Sequence, residues 1–415
     1  MRRPRILHGQ CIVVATVSVG LWLLTPSSAR AGGFEVAQQG ASAAGTASAG
    51  TARSGEPVAA WFNPAALADG KGFRAGLGVA LAFPSIEATA ADGSWKRRTE
   101  FGISTPAYVY ASYAHAKWAL GLAANIPFAS GIRWPGDWEA RFESVRSQPQ
   151  FFRLAPFFSY RLGPVRLGGG VHVDIARVAT YKALDFVDTE GSVNLLLSGV
   201  GVGGHFSVFW RINKWVDLGV TYKSRTLLKL SGDADFTVPD SFASRAPDQT
   251  ARADFTLPDR IALGGLAHLG KFTVLLDVVV TLWMTYDKLV VNFENEETDP
   301  SIVYNGWGPS VAVRTGVEYA PLRWLTARAG LYFDQSPIPA ENLYPSSPDS
   351  NRLGATLGVD FRVGKSFSID LFYDFVAFLG NESTSDRATL AAYAGTAHYV
   401  GLGLRLFVPT GQPTP

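Results

Sequence analysis

"FSIDLFYDFVAF", residues 367–378, decides the fold of this chain. Phe367, Ile369, Leu371, Tyr373 and Phe375 alternate with Ser368, Asp370 and Asp374, so one face is apolar and the other carries charge. A period of two marks a strand, whose successive side chains point to opposite sides. A dry sandwich core would not hold mid-strand aspartates without partners, whereas a wet lumen would. The stretch therefore reads as a wall strand with lipid outside and a polar interior.

The neighbours repeat the pattern. In "NRLGATLGVDFRVG" (351–364), Leu353, Ala355, Leu357, Val359 and Phe361 oppose Arg352, Thr356, Asp360 and Arg362. In "HYVGLGLRLF" (398–407), Val400, Leu402, Leu404 and Leu406 oppose Gly401, Gly403 and Arg405. Between strands, tight turns recur with a basic residue and then an aromatic: "HAKW" at 115, "INKW" at 212, "HLGKF" at 268, "PLRW" at 321 and "VGKSF" at 363. "RLGPV" at 161 is a sixth turn without the aromatic. Trp118, Trp215, Phe272, Trp324 and Phe367 would form one interfacial girdle. The remaining connections are long and polar, roughly 90–100, 129–148, 180–191, 232–254, 287–308, 335–351 and 380–396. Seven long and six short connections predict an all-β, fourteen-stranded antiparallel transmembrane barrel over residues 71–408, with both termini in the periplasm.

Composition agrees. Of 415 residues, 43 are Gly and 12% are aromatic, while charged residues make up only 17%. Residues 1–31 read as a secretory signal: a basic MRRPR start, an apolar run over Ile12–Leu24 too short to span a bilayer, and an Ala29-Arg30-Ala31 end. The rival reading there is an N-terminal anchor helix. Cys11 is the single cysteine and would leave with the signal, so no disulfide staples the mature chain. Without the leader's four arginines, 33 basic residues face 35 acids, a balance that points to no nucleic-acid partner. No metal-ligand spacing or phosphate-binding glycine loop is present, and the sequence implies no cofactor. A lipid-embedded monomer in the outer membrane is expected.

Residues 32–70 do not read as a strand. "GASAAGTASAGTARSGEP" (40–57) is too small-sided to bury a core alone. It ends at Asn63-Pro64-Ala65, where Asn63 is placed to cap a short helix with Pro64 at its first position. A compact segment sized to sit inside a barrel and a linker with one turn both fit these residues. Residues 409–415, after the terminal aromatic Phe407, read as a tail.

The sequence resembles the FadL/TodX family of outer-membrane channels for long-chain fatty acids and aromatic hydrocarbons. The resemblance rests on Gly33-Phe34, on Asn63-Pro64-Ala65, and on "FDQSPIPAENLYPSSPDSNR" (333–352), with "LPDRIALGG" at 257 and "KWALGLA" at 117 also fitting. It covers essentially the whole mature chain. It implies a fourteen-stranded barrel plugged by an N-terminal hatch, and passive uptake of hydrophobic molecules that leave sideways beside a kinked third strand. Delivery into the bilayer gains about 0.8 kcal/mol per buried methylene, so no energy source is needed.

Four groups of residues are candidates for that task. Lys182 shares a strand face with His172 and Asp174 and matches a family position whose basic residue meets a fatty-acid carboxylate. The family's second basic position falls on Gly308 here, which opens the way to neutral hydrophobes. With a short "ALDFVDTEGS" (183–192) connection, surface capture would fall to the second and fourth loops, where Trp134, Trp138 and Phe142 in "IRWPGDWEARF" are candidates, the alternative being that they pack the loop onto the barrel. In the third strand, Asn125, Ile126, Pro127 and Phe128 interrupt the alternation. Proline cannot donate to a ladder, so Pro127 either bends the strand inward at the exit or ends it at the membrane edge. Two other classes were weighed, a general polar porin and a barrel enzyme. His172 with Asp174 is the only His–acid pair, and no serine shares its face.

Overall fold

The computed structural model describes residues 32–409. The expected signal, 1–31, and residues 410–415 of the expected tail lie outside the described residues. Fourteen antiparallel strands close on themselves. They are β1 Gly72–Ala90, β2 Ala107–His115, β3 Trp118–Ala129, β4 Arg146–Leu162, β5 Val165–Asp185 and β6 Glu190–Arg211. Four interrupted strands follow: β7 (Val216–Lys223 and Thr226–Thr237), β8 (Gln249–Leu257 and Asp259–Leu269), β9 (Phe272–Leu282 and Lys288–Phe293) and β10 (Ser301–Tyr304 and Pro309–Leu322). The wall finishes with β11 Leu325–Asp334, β12 Arg352–Val363, β13 Phe367–Glu382 and β14 Ala391–Val408. Closure is complete because β1 pairs with β14 from Phe73↔Val408 to Ala90↔Ala391 and with β2 from Gly72↔Ala114 to Val79↔Ala107. A closed barrel leaves no edge, which is the condition for strands in lipid.

The alternation sorts as the sequence implies. Leu353, Leu357, Leu371, Tyr373, Val400 and Leu402 are exposed on the outer wall, while Asp360, Asp370 and Asp374 are buried inside. All six tight turns fall where expected. Several long connections are shorter than expected, because strands run on past the membrane. Residues 186–189 alone join β5 to β6, and only 294–300 join β9 to β10. Within the expected loop 287–308, Lys288–Phe293 and Ser301–Tyr304 are strand.

Residues 33–70 thread the inner face of the wall. They form two helical turns, α1 (Ala41–Ala44) and α2 (Ala59–Phe62), then a 3-10 turn over Pro64–Leu67. A glycine of the wall lets backbone meet backbone: a Cβ on Gly219 would collide with Thr51 O. Asp277 accepts from Gly50 N (2.9 Å), Thr51 N (2.8 Å) and Thr51 Oγ1 (2.7 Å). At the end of the tight turns, Arg53, Arg328 and Arg405 interlock with Glu56, Glu318, Asp360 and Asp370; Arg328–Asp370 is 2.7 Å and Arg405–Glu56 is 3.0 Å. Removing one member of such a buried network costs about 3–5 kcal/mol, because a charge is left unpaired.

Asn63 corrects one expectation. It holds the cap position before Pro64, yet its side chain makes no cap bond. Its amide instead donates to Thr51 O (2.8 Å) and Val208 O (3.0 Å), tying the segment to itself and to β6. The freed donor at Ala65 N is met by Ser207 Oγ (3.1 Å), a wall residue. The packed interior supplied the cap that the local sequence did not.

Candidate functional site

The site begins where β3 fails. From His115↔Trp118 to Tyr108↔Asn125 the strand pairs regularly with β2. On its other side Asn125 faces Arg153 but Phe128 faces Phe151, so three steps on β3 span two on β4. Pro127 brings no N–H, and the backbone turns inward. An unsatisfied group in hydrocarbon would cost several kcal/mol, and the inner segment meets that demand. Val36 N donates to Pro127 O (2.9 Å) and Ala129 N donates to Phe34 O (2.9 Å). Gln39 Nε2 donates to Ile126 O (2.8 Å), and Asn125 Nδ2 donates to Gln39 Oε1 (2.6 Å).

Because β2 begins only at Ala107, the upper half of β1 is partnered by a short strand, Lys96–Arg98, at Glu87–Thr89 and by irregular chain below it. Residues 99–106 run along it, with Ser104 and Ala82 exchanging bonds (3.1 and 2.8 Å) and Ala80 N donating to Pro106 O (2.9 Å). A cavity of about 630 Å³ is lined by this lip (Ile103–Pro106) and, facing it, by Ile126 and Ala129 of β3 and the residues 130–132 that follow, and its other end lies among Lys182, Tyr181 and Ser346 near the outer loops. That volume suits a drug-sized or lipid-sized hydrophobe.

At the cavity floor stands an aromatic cage built from further strand interruptions. Between Leu282 and Lys288 β9 coils inward, as β10 does between Tyr304 and Pro309, and these breaks deliver Trp283, Tyr286 and Trp307. The Phe34 ring sits 4.7 Å from Trp283, 5.6 Å from Trp307, 5.9 Å from Phe151, 6.0 Å from Phe255 and 6.1 Å from Phe128. Pairs of this kind contribute about 0.5–1.5 kcal/mol each beyond their buried area. Gly33 has φ +63°, and a Cβ there would stand 2.9 Å from Trp307, so both conformation and space demand glycine. The indole N–H groups of Trp283 and Trp307 find no acceptor among the described residues. Beside the cage, Glu35 accepts from Arg260 Nε (2.9 Å) and Thr281 Oγ1 (3.0 Å). Burial alone would raise the Glu35 carboxyl pKa, but the Arg260 and Arg314 charges hold it below the usual range.

The expected residues sort into three groups. Lys182 lines the cavity, on the face that also buries His172 and Asp174, and has no carboxylate within 4.0 Å among the described residues. Glu143, across the cavity mouth on the second loop, has its pKa raised by burial even though Thr389 hydrogen-bonds to it. Gly33, Phe34 and Ile126 also line the cavity, and Phe128 is in the cage. The loop aromatics are a correction. Trp134 and Trp138 are fully buried and stacked on each other at 4.4 Å, their indoles donating to Pro345 O and Ser144 O. Phe142 lies half-buried under the Arg141 guanidinium at 4.5 Å. None of the three lines the cavity. Trp134 ties the second loop to the sixth, and burial of the Trp134 and Trp138 rings outweighs exposing them for capture.

The cage residues Phe151, Phe255, Trp283, Tyr286 and Trp307 escaped the sequence reading. The available signal was the aromatic density of "LWMTYDKL" (282–289), unusual for a loop.

The profile of a family described as outer membrane protein transport protein (OMPP1/FadL/TodX) matches residues 22–405. A Neisseria meningitidis protein named as an outer membrane protein is 26% identical over 258 residues, 55% of this chain and 54% of that protein. The chain thus spans about half the length of that relative. A Pseudomonas aeruginosa FadL homologue superposes with a TM-score of 0.77 at 18% identity, covering 90% of this chain and 98% of that one. The Pseudomonas putida toluene transporter TodX gives 0.69 at 16% identity, covering 88% and 99%.

Proposed function

The chain belongs to the OMPP1/FadL/TodX family of outer-membrane transport proteins, and on that premise we propose that it takes up long-chain fatty acids or related hydrocarbons by lateral diffusion through its wall. The observation that carries this reading is the single cavity that joins the outer loops to the β3 break. A hydrophobe enters near Lys182, which offers a cation to an acidic head group. It reaches the cage by displacing Phe34, whose ring already occupies a hydrophobe's place. Residues 33–70 act as a hatch that blocks the straight path to the periplasm, so the remaining way out is between Ile103–Pro106 and β3. From there the molecule enters the bilayer core, and each methylene removed from water contributes about 0.8 kcal/mol to the driving force.

The test is uptake in cells that lack other hydrophobe channels. Expression of this chain should restore uptake of a long-chain fatty acid or of toluene, while liposomes bearing it should stay impermeable to small sugars. Sugar permeation without hydrophobe uptake would make the protein a general porin instead.

A further inference from the structure

The segment that fills the cage carries both chemical halves of a fatty acid. Phe34 puts an apolar group among the rings, and the next residue, Glu35, puts a carboxylate on Arg260 (2.9 Å) and Thr281 (3.0 Å). Glu35 lines the cavity, whereas Arg260 and Thr281, on β8 and β9, lie behind it. We propose that Phe34-Glu35 is an internal surrogate for an amphiphilic carboxylate ligand, and that Arg260 with Thr281 forms a second carboxylate site, deeper than Lys182, which opens when the surrogate leaves. This rests on the transport reading above and names the ligand class that the inner site prefers.

The physical reason is exchange of like for like. Arg260 is buried, with 8% of its side chain exposed, and its short-range carboxylate is Glu35. A neutral hydrophobe that pushed out Phe34-Glu35 would strand a desolvated guanidinium, and an unpaired buried charge is strongly unfavourable. A fatty acid brings its own carboxylate, so Arg260 keeps a charge-assisted bond throughout. Thr281 keeps its acceptor as well. Displacement of the hatch's first residues is thereby coupled to the chemistry of the cargo: acids open the inner site readily, and neutral molecules do so only where the apolar gain outweighs the lost pair. Cage donors without acceptors, Trp283 Nε1 and Trp307 Nε1, add polar groups that the surrogate does not satisfy and an oxygen-bearing ligand can.

The experiment uses the full mature protein in nanodiscs, with a fluorophore-bearing long-chain fatty acid and its methyl ester as paired probes. The readout is the ratio of ester Kd to acid Kd. Glu35→Gln weakens the competitor for Arg260 while keeping a side chain of the same length for Thr281. The ratio should rise about fivefold or more, one order of magnitude at most. Adding Arg260→Gln to Glu35→Gln should return the ratio to the wild-type value or below. An unchanged ratio in Glu35→Gln, or equal tightening of both probes, would overturn the surrogate and leave uptake of neutral hydrophobes standing. Binding of neither probe to the wild-type protein would overturn the transport reading and this inference together.

Discussion

The wall has two halves that treat the same physical demand differently. Where β14 meets β1, and where β12 meets β13, ladders run from end to end with no register shift. Along these ladders the neighbour strand supplies the backbone partners and the outward side chains are plain lipid anchors, with a single shift between β13 and β14 at Phe378–Asn381. Elsewhere in the wall, β3 slips by one residue at Asn125–Phe128 and β7 to β10 are each interrupted. At β3 the lost ladder bonds are replaced by bonds to Phe34, Val36 and Gln39. Breaks in β9 and β10 turn three aromatic rings inward. The difference teaches that in this barrel irregularity is gathered around the cavity, and that at β3 the inner segment is what makes the irregularity tolerable.

Restoring regularity should have the largest effect. Pro127→Val together with Asn125→Thr returns an N–H and a strand-forming pair to β3, and removes the amide that holds Gln39. Hydrophobe uptake should fall to the level of cells without the protein, while the heat-modifiable gel shift of a folded barrel is retained. Normal uptake through a correctly assembled double mutant would make the two halves of the wall equivalent.

The second perturbation acts on the packing of the second loop. Trp138→Ala removes a fully buried ring, which in a core costs about 3–5 kcal/mol. It should lower thermal stability and open the second loop to external protease. The apolar affinity of the cavity should stay within the scatter of the wild-type value. A large loss of ligand affinity at unchanged stability would return Trp138 to the capture surface.

A smaller effect is expected at Lys182. An accessible ion pair contributes about 0.2–1 kcal/mol, so Lys182→Ala should weaken fatty-acid binding about fivefold or less and leave a methyl ester unaffected. Equal weakening of both would mean that the side chain only shapes the mouth.

The two halves of the wall also differ in how far the sequence reveals them. Strand number and the lumen face of Asp360, Asp370 and Asp374 were legible, because alternation in lipid is obligatory. Pro127 was legible because its missing N–H is a local fact. The cage was not. Trp283, Tyr286 and Trp307 lie where alternation stops, so a reading by period assigns them to a loop, and only tertiary packing brings them to Phe34. Trp134 and Trp138 show the converse error: a polar setting in sequence hid two rings that the fold buries completely. Asn63 was placed correctly but given the wrong partner: Ser207, far along the chain, accepts from Ala65 N, and the Asn63 amide turns to Thr51 O and Val208 O.

The most direct test of lateral exit is to lock the gap reversibly. A Cβ on Gly131 would stand 3.0 Å from Ser104 Oγ, across the space between the lip and β3. The sequence has one native cysteine, Cys11, so Ser104→Cys with Gly131→Cys adds a defined pair. Under oxidising conditions the disulfide should form in the assembled barrel and abolish hydrophobe uptake, and mild reduction should restore it in the same cells. Full uptake through the oxidised, cross-linked protein would contradict an exit between residues 103–106 and β3.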